Sequence, residues 1–137
     1  MIVLLSKEIL AVATEPEIIL FRNRTRELAI KIGMGLVNQT KLITAASELA
    51  RNMIRYGGGG TVTLEVISAP KTTGVRLTFR DEGPGIADLS LAMRDGFSTG
   101  KSLGLGLPGA KRLANEFSIQ SEVGKGTTVT ITRWKNG

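Results

Sequence analysis

A carboxylate set against two closely spaced glycines at the end of a strand constrains this chain more than any other feature. The run DEGPGI, Asp81 to Ile86, follows directly on Val75 to Arg80, where apolar and polar residues alternate as they do in a half-buried strand. Gly83 and Gly85 allow close backbone approach to a ligand, and Asp81, at the strand exit, can accept a hydrogen bond from an exocyclic amine such as adenine N6. Further polar sets lie on either side: ELARN, Glu48 to Asn52, upstream, and the glycine-studded loop GFSTGKSLGLG, Gly96 to Gly106, downstream. Together the three read as one nucleotide site. Taken alone, Gly83 to Gly85 could equally be a plain turn.

With 137 residues the chain suits one domain with a real core, 1–137, and is short for two. Hydrophobic residues at 42% and charged residues at 22% are ordinary for a globular protein, and no apolar run approaches the roughly 18 residues of a membrane span. The start, Met1 to Leu5, lacks a basic region and meets Lys7 and Glu8 at once, which argues against a secretory signal. A cytoplasmic protein is expected.

The absence of cysteine and histidine excludes thiol nucleophiles, disulfides, Ser-His-Asp triads and imidazole zinc sites. Carboxylates, amides, hydroxyls, Lys, Arg and backbone N–H groups remain, the set that magnesium-dependent phosphoryl transfer uses. The net charge of +6 suits nucleic acid, a membrane surface, or an acidic protein or phosphate ligand. The basic residues are scattered and aromatic content is only 4%, so an acidic partner is favoured over nucleic acid, and no membrane association is expected.

Along the chain, Glu8 to Ala13 reads as a short strand. A helix opens at Glu15 with Thr14 as cap and Pro16 in the first turn, and runs to Ile32. A second helix, Leu36 to Tyr56, ends in Gly57 to Gly60, which reads as a stop and connector. Thr61 to Ser68 and Val75 to Arg80 form a hairpin around Pro70 to Gly74. A short helix, Leu89 to Asp95, precedes the glycine loop, and another spans Leu107 to Glu116. Two strands, Phe117 to Glu122 and Thr127 to Trp134, close the chain. This order predicts an α+β fold, a two-layer sandwich whose mixed, mostly antiparallel sheet carries helices on one face.

In the second helix, Leu42, Ala46, Leu49 and Met53 make a core stripe, widened by Ile43, Ala50 and Ile54. Glu48 and Asn52, four apart on the other side of the wheel, project together. Asn52 could give a neutral oxygen to Mg²⁺, and Glu48 could take a proton from an attacking hydroxyl. The competing reading is a solvated face with Glu48 near Arg51. In the glycine loop, Ser98, Thr99, Gly100, Lys101 and Ser102 could bend around phosphates, or the loop could be an ordinary surface loop.

Two nucleotide fingerprints nearly match. DGFSTGKS, Asp95 to Ser102, lacks the first P-loop glycine and follows a helix, and GLGLPG, Gly104 to Gly109, matches G-x-G-x-x-G without a preceding strand. Neither carries weight alone. The order does: polar helix face, Asp-x-Gly-x-Gly at a strand end, glycine-rich lid and helix, then GKGTT, Gly124 to Thr128, before the last strand.

In that order the chain resembles, over nearly its whole length, the GHKL ATPase and kinase superfamily. Glu48 to Asn52 match its N box, Asp81 to Gly85 its first glycine box and Gly104 to Gly106 its second. SELARN, Ser47 to Asn52, with DGFST, Asp95 to Thr99, is most similar to the bacterial stressosome switch kinases, relatives of the anti-sigma-factor serine kinases. The resemblance implies a Bergerat fold binding ATP and Mg²⁺ beneath a mobile lid. Asp81 would read adenine, Asn52 would hold the metal and Glu48 would act as base. Lys101 would reach the terminal phosphate, and Thr127 would bind near adenine. Gly83, Gly85, Ile86, Ser98, Thr99, Gly100, Gly104, Leu105, Gly106 and Leu107 would complete the nucleotide site.

The implied reaction is phosphorylation of Ser or Thr on STAS-domain proteins, a stressosome scaffold or antagonist, which frees the kinase for an effector such as a phosphatase. Three alternatives stand beside it. The first is a non-catalytic anti-sigma factor or adaptor gated by ATP. The second, the ATP-binding half of a histidine kinase, is disfavoured by the lack of a dimerisation helix pair and of histidine. The third, an ATPase of a larger machine, is disfavoured because no transducer follows Trp134.

Overall fold

The computed structural model describes residues 1–94 and 106–137. Its elements run β1 (Val3–Val12), α1 (Glu15–Lys31), α2 (Leu36–Gly57), β2 (Gly60–Ala69), β3 (Thr72–Asp81), α3 (Leu89–Ala92), α4 (Leu107–Leu113), β4 (Glu116–Glu122) and β5 (Gly126–Trp134). Among the described residues the strands form one sheet in the order β1-β2-β3-β5-β4, and its four pairings are all antiparallel, in keeping with the expected mostly antiparallel sheet but without a parallel pair.

Alternation along the central strands decides which face the helices cover. Val62, Leu64 and Val66, Val75, Leu77 and Phe79, and Val129 and Ile131 are buried. Their neighbours on the other face are mostly polar, among them Glu65 paired to Arg76 at 2.8 Å and Thr78 beside Thr130 at 3.3 Å, with Ile67 a buried exception. Against the apolar face α1 lays Ile18, Phe21, Leu28 and Ala29, and α2 lays Leu42, Ala46, Leu49, Ala50 and Met53. Phe21 meets Phe79 edge to face, with ring centroids 5.6 Å apart.

Thr14 caps α1 as the sequence predicts. Its hydroxyl accepts from the Glu17 N–H, and the Glu17 carboxylate accepts from the N–H groups of Ala13 at 2.8 Å and Thr14 at 3.1 Å. The first strand begins at Val3, well before the expected Glu8, and pairs with β2 from Val3–Ser68 onward across an irregularity between Leu4 and Ser6. The turn between β2 and β3 is also tighter than expected, since Thr72, Thr73 and Gly74 belong to the ladder. The helix after the glycine loop stops at Leu113, short of Glu116, which opens β4.

Helix α4 is fastened at its far end. Arg133 of β5, buried on the helix-covered side, donates to the Leu113 carbonyl at 2.9 Å and to Asn38 Oδ1 at 2.7 Å. Burial lowers the pKa of its guanidinium from the ordinary arginine value. One side chain thus ties the end of α4 to the first turns of α2.

Candidate active site

A pocket of about 470 Å³, counting its open mouth, lies between the second half of α2, the ends of β3 and β5, and the start of α4. Leu49, Met53, Phe79, Ile86, Leu107 and Val129 make its apolar walls. Asn52, Asp81 and Thr127 bring polar atoms to it. Apolar walls with a few convergent polar groups suit a heteroaromatic ring.

Asp81 is held firmly. It ends β3 in register with Gly60 and Thr127, and its Oδ1 accepts from the N–H of Gly83 at 2.9 Å and of Thr127 at 3.3 Å. An ionised carboxylate only accepts, so it selects a donor such as a ring amine. Gly85, with φ of 77°, bends so tightly that a Cβ would strike the Glu122 carbonyl, and lie 3.0 Å from the Val123 Cα. The next residue, Ile86, donates its N–H to Ser121 Oγ at 2.7 Å. The Ser121 hydroxyl also lies 2.7 Å from Thr127 Oγ1. This chain of polar groups fixes the glycine turn against the end of β5.

Asn52 does not stand opposite the core stripe, as expected, but at its edge. At about 100° per residue it lies roughly 60° from Leu49, close enough to share the pocket with Leu49, Met53 and Tyr56. Glu48 sits one turn earlier and does not line the pocket; its Oε1 pairs with Arg51 Nη1 at 3.1 Å, as the solvated-face reading foresaw. Both residues nonetheless face Gly106, the left-handed N-cap of α4 with φ of 83°. A Cβ there would lie 3.1 Å from Glu48 Oε2 and 3.2 Å from Asn52 Nδ2. Glycine at 106 therefore brings the start of α4 directly onto the polar pair.

The structure thus brings together Asn52, Asp81, Gly85, Ile86, Leu107 and Thr127 around one pocket, with Glu48, Gly83 and Gly106 adjoining. Ser98, Thr99, Gly100, Lys101, Gly104 and Leu105 lie outside the described residues. Sequence reasoning missed Tyr56 and Gly57 as lining residues and Ser121 as the partner of Ile86 and Thr127. Ser121 was within reach, since it stands opposite Thr127 in the β4–β5 ladder. Nor is the Gly57 to Gly60 run a mere connector. A Cβ on Gly57 would lie 2.5 Å from Asp81 Cγ, one on Gly59 would lie 2.6 Å from Ala13 Cβ, and one on Gly60 would strike the Arg80 carbonyl.

For a metal the donor set is sparse. Among the described residues no group of three or more acidic, Cys or His side chains is close enough to hold an ion. Asn52, neutral and lining the pocket, could give one oxygen to a Mg²⁺ ion that keeps waters and phosphate oxygens as its other ligands.

Residues 37–136 match the family model described as histidine kinase-, DNA gyrase B- and HSP90-like ATPase. The chain is 42% identical over 123 residues to the serine/threonine-protein kinase RsbT of Bacillus subtilis, an alignment covering 90% of this chain and 92% of that one. It is 36% identical over 101 residues to an anti-sigma F factor of Geobacillus stearothermophilus, covering 69% of this chain and 68% of that one. Among solved structures, the RsbU and RsbW domains of a Mycobacterium tuberculosis protein superpose with a TM-score of 0.63 at 22% identity, covering 95% of this chain and 33% of that longer one. At that identity the likeness speaks for the fold alone.

Proposed function

The chain belongs to the histidine kinase-, DNA gyrase B- and HSP90-like ATPase family and is a serine/threonine-protein kinase within it, and from that premise we propose that it acts on STAS-domain proteins in a cytoplasmic partner switch. In such a switch, phosphorylation of a scaffold or antagonist releases the kinase to an effector such as a phosphatase. The relatives named above supply the direction of this reading, one called a serine/threonine-protein kinase and another an anti-sigma factor.

The observation that carries the nucleotide assignment is the Asp81 carboxylate, fixed through Oδ1 by two backbone N–H groups where it lines an apolar pocket. In the proposed site it accepts from adenine N6, while the apolar walls hold the ring. Asn52 would hold Mg²⁺, which would neutralise charge on the phosphates. Gly106 and the α4 N-terminus would bring backbone N–H groups beside the same phosphates, and the family resemblance assigns the Lys101 charge to the terminal one. In the reaction, a Ser or Thr hydroxyl oxygen of the partner bonds to the γ-phosphorus and the bond from that phosphorus to the β–γ bridging oxygen breaks. ADP leaves and the hydroxyl proton passes to Glu48. Such a transfer through a loose transition state depends on positioning and charge neutralisation more than on a strong base.

The test is transfer of γ-labelled phosphate from Mg-ATP to STAS-domain proteins of the same organism, with Asn52→Ala as the blank. Label on Ser or Thr is the expected result. ATP binding without transfer to any of them would instead support a nucleotide-gated binding module, and failure to bind ATP would overturn the pocket assignment.

A further inference from the structure

Gly57 is a glycine that its own backbone does not demand. It is the last residue of α2, and the left-handed conformations in the run belong to Gly58 and Gly59, with φ of 78° and 93°. In a helix, alanine is favoured over glycine by up to about 1 kcal/mol, so local propensity argues against glycine here. What excludes a side chain is space. A Cβ at position 57 would lie 2.5 Å from Asp81 Cγ, 2.6 Å from its Oδ2 and 2.9 Å from its Cβ.

The obstructing carboxylate is not a flexible tip that can swing clear. Its Oδ1 is held by the N–H groups of Gly83 and Thr127, and its backbone is fixed in the ladder between β2 and β5. Gly83 packs against the same residue, since a Cβ of its own would fall 2.6 Å from the Gly57 Cα. Asp81, Gly83 and Gly57 are therefore nested, with Oδ2 on the side of Gly57 and both residues lining the pocket.

We infer that Gly57 is a positioning residue for the nucleobase. Its missing side chain leaves Asp81 Oδ2 uncovered and oriented toward a ring amine, and so sets both affinity and preference for adenine. The inference rests on the proposed reading of Asp81. Adenine presents an amino donor at its six-position, which a carboxylate oxygen accepts. Guanine presents a carbonyl oxygen there, which the same carboxylate repels. A methyl group at position 57 would cover or rotate Oδ2 and blunt that discrimination.

Binding of ATP and GTP to the full chain, measured by calorimetry for wild type, Gly57→Ala, Asp81→Ala and the double variant, tests this, with melting temperatures taken alongside. Gly57→Ala should weaken ATP about ten- to a hundredfold, the worth of a hydrogen bond to a charged group, and leave GTP nearly unchanged. In the Asp81→Ala background, where Cγ and Oδ2 are gone and only the Asp81 Cβ remains close, at 2.9 Å, the same substitution should cost markedly less than it does beside the carboxylate, because the two residues act as one unit. Undiminished ATP binding by Gly57→Ala, or losses that simply add in the double variant, would overturn the positioning role. Undiminished ATP binding by Asp81→Ala would instead overturn the reading of Asp81 itself. Should Gly57→Ala fold poorly, removal of the Asp81 carboxylate should raise its melting temperature, and the absence of that rescue would sink the inference.

Discussion

Asn52 and Glu48 occupy successive turns of α2 and both approach Gly106, yet their surroundings differ, and the proposed division of roles rests on that difference. Asn52 lines the pocket and is neutral, which suits an oxygen ligand for a hard cation; Glu48 lies outside the pocket, ion-paired to Arg51, with its second oxygen toward α4. Asn52→Ala should therefore abolish phosphate transfer and weaken Mg-ATP far more than metal-free ATP. Glu48→Gln should keep ATP affinity within about twofold and lower turnover about a hundredfold, the lower end of general-base contributions. Paired binding and single-turnover measurements separate the two. Equal loss of binding in both variants would refute the division of roles.

At the scale of elements, local signals were legible where the contact partners are near in sequence. The Thr14 cap reads from the sequence alone, and the structure completes it with the Glu17 carboxylate on the N–H groups of Ala13 and Thr14. Thr14→Ala should lower stability by about 1 kcal/mol, the usual worth of such a cap. ATP affinity should stay unchanged, since α1 does not line the pocket; denaturant titration and nucleotide binding check the pair of outcomes. The central strands were legible from alternation because one face is covered and the other mostly polar. The start of β1 was not, because Val3, Leu4 and Leu5 form an unbroken apolar run on an edge strand, with an irregularity just beyond. Gly57 escaped notice for a different reason. A glycine demanded by its own φ shows as punctuation in sequence, whereas one demanded by a carboxylate on another element looks the same until the helix end and the strand end are brought together.

At the scale of the whole molecule, charge and apolar surface make opposite demands on a partner. The chain carries a net charge of +6, which favours a partner with an acidic docking face. It also exposes large apolar side chains on β1 and α1, including Leu5 and Ile9 on the strand and Leu20 on the helix. Attraction between charged rims speeds encounter and is screened by salt, whereas apolar contact is not weakened in that way. Between about 0.01 M and 1 M salt the screening length shrinks from about 30 Å to about 3 Å, so charge-steered binding should lose association rate steeply over that range. Complex formation with a STAS-domain substrate is accordingly expected to slow as salt rises, with dissociation changing less, in a surface-binding measurement of both rates. Association that ignores salt would refute the acidic docking face and shift the search to the apolar edge around β1.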